Sequence, residues 1–522
     1  MISALVHCFR LARVGFVLAR EGALSLADVA PLPPAIRLLI TLARTIERRG
    51  ARESGSRLAA AMTRLGPSYV KFGQFLATRP DVVGVRAAAD LETLQDRLPP
   101  FPREEAVRTI EASFDMPIDK LFSEFGPAIA AASIAQVHKA RIGEGENAQT
   151  VAVKVLRPGV RERFARDLAS MRFAAAMAER LFPAMRRLRP IEVVETLARS
   201  VAMEMDLRLE AAALSELGEN TRDDADFRVP EVKWDLTARD VMTSEWVDGT
   251  PLSDMAALVA AGHDREALAR TVIQSFLRQA LRDGFFHADM HPGNLFVDAQ
   301  GRLVAVDCGI MGRLGHKERR FLAEILLGFI TRNYRRVAEV HFEAGYVPRH
   351  HSVADFAQAI RAIGEPIHDR RADEISMAKL LTLLFEITAL FDMNTRTELV
   401  MLQKTMVVVE GVARSLDPRL DMWSTADPVV REWIERNLGP VGRLEEAGRG
   451  AVSLAGFAAH LPSILNRGER IFEQLEIASE RGFLLAPESV ADIGRAEARR
   501  ARWGNLALWV IAAILAAMWL GG

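Results

Sequence analysis

The stretch Phe286-His-Ala-Asp-Met-His-Pro-Gly-Asn294 decides the fold of this chain, together with Val306-Asp-Cys-Gly309 shortly after it. It sets Asp289 five residues before Asn294, and Asp307 follows at the end of a strand-like segment. An acid, then an amide, then a second acid on a strand end is the arrangement that kinase-type phosphoryl transfer uses. The sequence therefore predicts Asp289 as the group that orients or deprotonates the attacking hydroxyl or water. Asn294 and Asp307 are predicted to hold Mg²⁺, a cation that prefers hard oxygen ligands.

A lysine on a β-branched strand is the second part of such a site. In Val151-Ala-Val-Lys154 the lysine lies near a strand end, where its ammonium can reach the α- and β-phosphates of a nucleotide. A kinase-type lysine needs a carboxylate to hold it, and one predicted helix carries three: Glu204, Asp206 and Glu210. The last two are four residues apart and neighbours on a helix surface. One of them can pair with Lys154 while the other serves a different partner, and we expect Glu210 to make the pair.

The segment that would cover the phosphates is unusual. Kinases use G-x-G-x-x-G there, so that main-chain amides approach the phosphates closely, but residues 129–138 contain no glycine. An alanine Cβ disfavours positive φ and narrows the approach, so we expect a stiffer loop, with polar contacts from Ser133 and Gln136. The residues predicted to bind ATP are Ile129, Ala130, Ala131, Ala132, Ser133, Ile134, Ala135, Gln136, Val137, Lys154, Glu210, Glu245 and Val247.

The composition of the whole chain limits its class. At 522 residues the chain is long enough for two or three units, and a formal net charge of −1 argues against a nucleic-acid partner. Cys8 and Cys308 are its two cysteines, which excludes a disulfide framework and fits a reducing compartment. Ala, Leu and Arg dominate, which favours a helix-rich body.

These patterns predict an α+β fold class, a two-lobed protein-kinase-like fold with a helical N-terminal extension and a C-terminal transmembrane helix. A hairpin is predicted within residues 127–154, helix across 160–217 with breaks at Pro183 and Pro190, and a short strand at 240–247. The predicted segments are amphipathic N-terminal helices at 1–50, a helical extension at 51–115, a kinase-like N-lobe at 116–250, a kinase-like C-lobe at 251–420, a C-terminal helical region at 421–502 and the transmembrane helix at 503–520.

Both ends of the chain bear on membranes. Residues 503–522 contain no charged residue, and residues 503–520 as a helix would reach roughly 27 Å, enough to span a bilayer core. Four arginines precede this stretch: Arg495, Arg499, Arg500 and Arg502. The positive-inside rule then predicts that the large body lies in the cytoplasm; a buried C-terminal helix is the alternative. The amphipathic helices predicted at 1–20 and 36–48 either pack on the domain or lie on a membrane surface.

Taken together, the motifs carry a family resemblance. The chain resembles the UbiB family of atypical protein-kinase-like (aarF-domain) proteins, which also includes the mitochondrial coenzyme Q kinases. The motifs in question are Lys71-Phe-Gly-Gln74, Leu94-Gln-Asp-Arg-Leu-Pro-Pro100, Ser133-Ile-Ala-Gln-Val-His138, the Glu204/Asp206 pair, His287-Ala-Asp-Met-His-Pro-Gly-Asn294 and Asp307-Cys-Gly309.

The resemblance implies binding of ATP with Mg²⁺ as cofactors, with weak ATPase or unorthodox kinase activity. It implies a role in ubiquinone biosynthesis at the bacterial inner membrane, with polyprenyl-phenol or ubiquinone intermediates, membrane lipid and other ubiquinone-synthesis enzymes as partners, and a possible homodimer. It also implies that the K-x-G-Q helix lies where a peptide substrate would sit. Lys71 and Gln74 would then point at the active site as regulatory residues, with Glu204 and Asp206 as their partners.

Two departures from related patterns stand out. The E-A-x-N of the family reads Glu210-Ala-Ala-Ala213, so a role for the asparagine is lost. The D-F-G of protein kinases reads Asp307-Cys308-Gly309, which removes the phenylalanine whose packing reports active and inactive states.

Three other functions compete with a membrane-anchored ATPase. A small-molecule phosphotransferase has a similar catalytic loop, although the K-x-G-Q helix would crowd its acceptor pocket. A lipid-binding scaffold without catalysis conflicts with the joint presence of Lys154, Asp289, Asn294 and Asp307. Direct hydroxylation of a quinone ring is the third alternative, but the sequence lacks a dinucleotide fingerprint, a flavin fingerprint and a two-histidine-one-carboxylate set at suitable spacing.

Overall fold

The computed structural model describes residues 2–26, 41, 44–48, 56–77, 83–84, 87, 90–91, 93–94, 99–181, 186, 189–366, 387, 390–393 and 397–439. The chain divides into two units, Met1–Ile434 and Glu435–Gly522, and the fold below is that of the first. The finer domain boundaries stay predictions. In the described ranges, no helix combines the length and the apolar character that a membrane crossing requires. The span predicted at 503–520 lies outside these ranges and stays a prediction.

The strands, in chain order, are β1 Glu124–Ala131, β2 Ala135–Ile142, β3 Gln149–Leu156, β4 Phe227–Arg228, β5 Val241–Glu245, β6 Gly249–Pro251, β7 Phe285–His287, β8 Leu295–Asp298, β9 Leu303–Ala305 and β10 Met311–Arg313. The helices are α1 Ile2–Arg20, α2 Arg57–Leu65, α3 Pro67–Ala77, α4 Arg103–Phe114, α5 Ile118–Leu121, α6 Val160–Leu181, α7 Pro190–Glu204, α8 Leu207–Asn220, α9 Met255–Ala260, α10 Arg265–Leu277, α11 His316–Ile330, α12 Tyr334–Glu343, α13 Val353–Gly364, α14 Thr397–Leu416 and α15 Met422–Leu438. The predicted α+β class is confirmed.

An antiparallel sheet of four strands, ordered β1-β2-β3-β5, forms the smaller lobe. Val151, Val153 and Val155 on β3 are fully buried in a core cluster that also includes Ile110 of α4. Because side chains alternate between the two faces of a strand, Lys154 lies on the opposite face to these valines. The valine pattern that predicts the strand therefore also aims the lysine away from the core.

Short strands build the larger lobe around residues 286–294, the segment predicted to be catalytic. One sheet has the order β4-β9-β8-β6, and β7 pairs with β10. Met311 on β10 lies opposite His287 on β7, so the chain that follows Asp307 returns alongside the strand that precedes Asp289. A separate core cluster includes Tyr334 and Val337 of α12, Phe356 of α13, and Phe391.

Two local predictions are corrected by the structure. The hairpin predicted within 127–154 is a meander of three strands, because the Ala-rich segment turns at residues 132–134 between β1 and β2. The single helix predicted to carry Glu204, Asp206 and Glu210 is two helices. The first ends at Glu204, and Asp206 caps the second by accepting a hydrogen bond from the amide of Arg208. An acid is a favoured N-cap because its carboxylate satisfies an orphan amide of the first turn.

The predicted amphipathic helix at 1–20 is present as α1 and packs on α6. His7 Nδ1 lies 3.1 Å from Ser170 Oγ, and the rings of His7 and Phe173 stack at 5.4 Å. Its other face stays open to solvent, with Leu5 67% and Phe9 77% exposed. The helix therefore packs on the domain and still presents apolar side chains outward.

Candidate active site

An ion pair between β3 and α8 lies at the centre of the site. The ammonium of Lys154 is 2.6 Å from Glu210 Oε1 and 3.4 Å from Asp307 Oδ2. The pair of Lys154 with Glu210, which the sequence predicts, is present in the structure. One cation thus faces two carboxylates that come from different parts of the chain.

The electrostatics of these three groups follow from burial and from one another. Burial alone would lower the pKa of Lys154, but Asp307 and Glu210 outweigh it and hold the pKa well above its usual value. Burial also opposes ionisation of Asp307, yet the Lys154 ammonium and the amide of Gly309 keep the pKa of Asp307 well below its usual range. Burial raises the pKa of Glu210 to about 7, against the pull of Lys154. At neutral pH Lys154 and Asp307 are therefore charged.

The catalytic segment is held by hydrogen bonds within the loop. Asn294 Nδ2 donates to the carbonyl of Asp289 at 3.2 Å and to Asp289 Oδ2 at 3.3 Å. The amide of Asp289 donates to His287 Nδ1 at 3.1 Å, and the amide of Val306 donates to the carbonyl of Asn294. The last bond ties the loop to the segment that leads into Asp307. The structure thus brings the predicted acid, amide and second acid into one bonded unit.

The donor set suits a hard divalent cation. With Nδ2 of Asn294 engaged by Asp289, the amide oxygen Oδ1 is the atom of that side chain that can meet a metal. Asp307 contributes carboxylate oxygens, one of which accepts from the amide of Gly309 at 2.9 Å. Mg²⁺ is commonly held by one or two such protein groups together with phosphates and water. The residues present therefore fit the predicted metal, and its ligation by Asn294 and Asp307 stays a prediction.

Hydrogen bonds hold the Ala-rich turn between β1 and β2. The amide of Ala132 donates to the carbonyl of Ala135 at 2.8 Å, and the Arg157 guanidinium donates to the carbonyl of Ala132 at 3.1 Å. Ser133 is buried, whereas Ile129 is 51% exposed. The turn is therefore held by its own backbone and one arginine, and the predicted stiffness stays a prediction.

Gln136, expected to contact the nucleotide, has its side chain engaged elsewhere. Its Oε1 accepts from the amide of Phe101 at 2.9 Å, and its Nε2 donates to the carbonyl of Phe101 at 3.2 Å and to His138 Nε2 at 2.9 Å. The side chain is almost fully buried. In this structure Gln136 supports the turn and the chain before α4.

Glu245 and Val247 lie where the smaller lobe ends. Glu245 is the last residue of β5, and both of its carboxylate oxygens are 3.1 Å from the Arg228 guanidinium. Val247 follows in the connection to β6 and is half-buried. Their predicted contact with ATP stays a prediction.

The K-x-G-Q segment lies on α3. Lys71 Nζ is 2.8 Å from Glu204 Oε2, and both side chains are mostly buried. Asp206, the other predicted partner, instead caps α8 and lies 2.7 Å from Arg208. Gln74 is half-buried on the same helix as Lys71. The regulatory role of these residues stays a prediction.

Two supporting residues have no signal in the sequence. Thr405 on α14 donates its hydroxyl to the carbonyl of Ala288, 3.1 Å away. Gln279, in the π-helical segment Arg278–Asp283, accepts from the amide of His287 at 3.1 Å. Both are buried. They fix the main chain immediately before Asp289, but each is a common polar residue on a helix and belongs to no motif.

Two family models match parts of this chain. Residues 93–341 match the family described as the ABC1 atypical kinase-like domain, and residues 360–421 match the UbiB helical domain. The chain is 39% identical over 464 residues to the "Probable protein kinase UbiB" of Marinobacter nauticus, an alignment that covers 88% of this chain and 82% of that protein. The solved structure titled "The complex structure of Rv3197-erythromycin from Mycobacterium tuberculosis" matches with a TM-score of 0.48 at 22% identity, over 76% of this chain and 98% of that one.

The two family models and the Marinobacter nauticus relative confirm the predicted kinase-like fold and the family resemblance. The chain belongs to the UbiB family of ABC1 atypical kinase-like proteins.

Proposed function

We propose that this protein is a Mg²⁺-dependent ATPase or unorthodox kinase that supports ubiquinone biosynthesis at the bacterial inner membrane. Its ATP turnover would assist the handling or modification of polyprenyl-phenol intermediates. The observation that carries the proposal is the position of the Lys154 ammonium, 2.6 Å from Glu210 and 3.4 Å from Asp307.

Lys154 is the group proposed to bind the phosphates. Its pKa is held well above its usual value, so the ammonium stays charged over the whole working range of pH. Glu210 restrains its position, and a restrained cation binds phosphate with less loss of side-chain entropy than a free one. This is the role of the strand lysine and helix glutamate in kinases.

Asn294 and Asp307 are proposed to bind Mg²⁺. When bound, the metal supplies charge neutralisation at the phosphate oxygens. Asp307 is suited to this role because its pKa lies well below its usual range, which keeps it an anion. Because Asp307 Oδ2 is 3.4 Å from the Lys154 ammonium, the proposed metal site lies beside the proposed phosphate-binding group.

Asp289 is proposed to orient the attacking hydroxyl or water. Its carboxylate is bonded to Asn294 Nδ2 at 3.3 Å, and its amide is bonded to His287. These bonds fix the carboxylate next to the proposed metal ligand. A base held in this way contributes by position as well as by proton transfer.

The proposed location at the membrane rests on the apolar and basic side chains of α1. Leu5, Phe9 and Phe16 are exposed along α1, and Arg13 and Arg20 lie on the same helix. Apolar and basic side chains on one helix suit a bilayer surface that carries anionic lipid. The charge-free stretch 503–522 adds a predicted anchor, and the family supports a role in ubiquinone synthesis.

ATP hydrolysis by purified protein tests the proposal. Turnover is measured with and without anionic liposomes and a phenolic ubiquinone-precursor analogue. Asp307→Asn is the inactive variant, and Asp223→Asn, on an exposed surface residue, is the matched control. We expect turnover that rises with lipid, persists in Asp223→Asn and vanishes in Asp307→Asn.

The other outcomes point to different functions. Label from the γ-phosphate that appears on the phenolic compound would favour a lipid phosphotransferase. Tight Mg-nucleotide binding without turnover in any mixture would favour a nucleotide-switched scaffold. Turnover equal in Asp307→Asn and the parent protein would overturn the metal assignment.

A further inference from the structure

Two adjacent histidines and an aspartate, all later in the chain than α12, lie close together in the structure. His350 and His351 lie between α12 and α13, and Asp392 lies before α14. His350 Nε2 is 3.8 Å and His351 Nε2 is 3.4 Å from the same atom, Asp392 Oδ2. One ligand atom from each residue lies within 4.8 Å of the other two. Sequence spacing does not reveal this set, because 41 residues separate His351 from Asp392.

We propose that His350, His351 and Asp392 bind a divalent cation of the zinc class, in a site separate from the nucleotide site. Imidazole nitrogen suits zinc, copper and nickel, whereas Mg²⁺ selects oxygen ligands and near-ideal octahedral geometry. The proposal concerns a second metal with different chemistry and does not depend on ATP turnover.

The distances favour a bound cation. Zinc–ligand bonds of about 2.0–2.1 Å at tetrahedral angles set ligand atoms about 3.3 Å apart. The distances of 3.4 and 3.8 Å to Asp392 Oδ2 need only a small adjustment to reach that value. With three protein ligands, water would take the fourth position, which the exposure of His350 and Asp392 permits.

Hydrogen bonding without a metal is the competing explanation, since a neutral imidazole can donate its Nε2–H to a carboxylate. Both Nε2 atoms approach the same oxygen, and the two ring centroids are 4.1 Å apart. The same three ligand atoms can surround one cation when both imidazoles bind it through Nε2. The zinc titration distinguishes the two explanations.

The cluster is partly organised before any cation binds. The ring of His351 contacts the ring of Phe391 at 5.2 Å, and Phe391 contacts Phe356 at 4.9 Å in the core. Asp392 has a φ of 47°, a left-handed conformation that aspartate tolerates better than most residues. Core packing thus holds the ring of His351 and the main chain at Phe391, next to Asp392, and a cation would join the loop after α12 to the segment before α14.

Zinc binding by the full-length protein tests the proposal. Tag-free protein, stripped with a chelator, is titrated with Zn²⁺ in excess Mg²⁺, and the melting temperature is recorded with and without Zn²⁺. The variants are His351→Asn and Asp392→Asn, the second of which keeps a residue that tolerates the left-handed backbone. His263→Asn, on a half-buried histidine, is the control, and Asp307→Asn reports any Zn²⁺ taken up at the nucleotide site.

We expect one equivalent of Zn²⁺ and a raised melting temperature in the parent protein, in His263→Asn and in Asp307→Asn. Binding at least tenfold weaker and no rise in melting temperature are expected in His351→Asn and Asp392→Asn, with metal-free melting temperatures near that of the parent. Absence of binding in the parent, or equal binding in all variants, would overturn the proposal. Loss of binding in Asp307→Asn alone would assign the zinc to the nucleotide site and overturn it too.

Discussion

The hydroxyl of Thr405 donates to the main-chain carbonyl of Ala288, 3.1 Å away, and so joins α14 to the residue before Asp289. Thr405 is 1% exposed and also contacts the carbonyl of Met401 on its own helix. The two bonded residues belong to different matched domains, since Ala288 lies in the kinase-like match and Thr405 in the UbiB helical match. This contact lets the helical domain set the position of the catalytic loop.

Thr405→Val should therefore lower turnover more than nucleotide affinity. Valine has nearly the same shape but no donor, so the Ala288 carbonyl loses a partner and the loop gains freedom. The expected loss of stability is about 1–3 kcal/mol, and the expected fall in kcat is severalfold with little change in KM for ATP. Steady-state ATP hydrolysis and thermal unfolding measure the two effects.

The control for Thr405 is Thr221→Val. Thr221 is also buried, and its hydroxyl bonds to the carbonyl of Leu217 within its own helix region. Unchanged kcat and a smaller loss of stability are expected there, because the Leu217 carbonyl keeps the amide of Thr221 as a partner. If both variants lost kcat equally, the effect would be one of general stability and not of the contact with Ala288.

Glu210→Gln should weaken Mg-nucleotide binding by about tenfold, which is about 1.4 kcal/mol. The change removes the negative charge of the closer partner of Lys154, at 2.6 Å, and leaves the carboxylate of Asp307 at 3.4 Å. The ammonium would then shift towards Asp307 and compete with the metal for its oxygens. Binding is measured by calorimetry with a non-hydrolysable ATP analogue.

Glu216→Gln on the same helix is the matched control for Glu210. Glu216 pairs with Arg313 on the surface, and an exposed pair of this kind contributes about 0–1 kcal/mol. Its nucleotide affinity should match that of the parent protein. Equal affinity in Glu210→Gln and the parent would mean that the ion pair has no part in phosphate binding.

The pair of Lys71 with Glu204 should show measurable coupling. The two side chains are 14% and 18% exposed at 2.8 Å, so their attraction is less screened than that of a surface pair. We expect a double-mutant cycle with Lys71→Gln and Glu204→Gln to give a coupling free energy of about 1–2 kcal/mol. Unfolding in denaturant measures it.

An exposed pair provides the reference for that cycle. Arg172 and Glu195 are 43% and 40% exposed at 2.6 Å, and a coupling below about 1 kcal/mol is expected. If the Lys71 cycle gave no more than this reference, the contact would not anchor α3 to the end of α7.

How far the sequence predicts the site depends on how local the signal is. Asp289 and Asp307 follow short strands and Asn294 directly precedes one, which restricts where their side chains can lie, and the β-branched run around Lys154 fixes which face the lysine occupies. The helix that carries Glu210 is amphipathic, so its buried side was also predictable. These side chains meet in the structure because each is set by its own element.

The remainder depends on contacts between distant parts of the chain. Thr405 and Ala288 are 117 residues apart, and no periodicity links them. The helix break at Asp206 had a local signal, an acid before an apolar run, which competed with a helical pattern on both sides. Gln136 has a polar side chain of a kind that often binds ligands, but in the fold its side-chain amide is hydrogen-bonded to the main chain of Phe101.

Acid should destabilise the fold through two buried histidines. Burial lowers the pKa of His138, with the Gly126 carbonyl opposing, and burial lowers the pKa of His341, with the Val337 carbonyl opposing. His138 Nδ1 lies 2.9 Å from Gly126 O, and its Nε2 lies 2.9 Å from Gln136 Nε2. The neutral His138 ring that donates from Nδ1 can accept a hydrogen bond from Gln136 at Nε2. A proton on Nε2 would instead place the N–H donors of His138 and Gln136 against each other without an acceptor.

The sign of the effect follows from which state takes up protons first. An unfolded histidine has a pKa of about 6.5, above the lowered folded values, so the unfolded chain binds protons at a higher pH. Stability is then complete above about pH 6.5 and falls as the pH drops through that value, by up to about 1.4 kcal/mol per pH unit for each histidine. Melting temperatures between about pH 7.5 and 5.5 measure the slope in the variant His138→Gln and in the parent protein. The comparison between them isolates His138, because Glu210, whose pKa burial raises to about 7, titrates in the same window in both. His138→Gln should reduce the slope, and parallel slopes in the variant and the parent protein would contradict the role of His138.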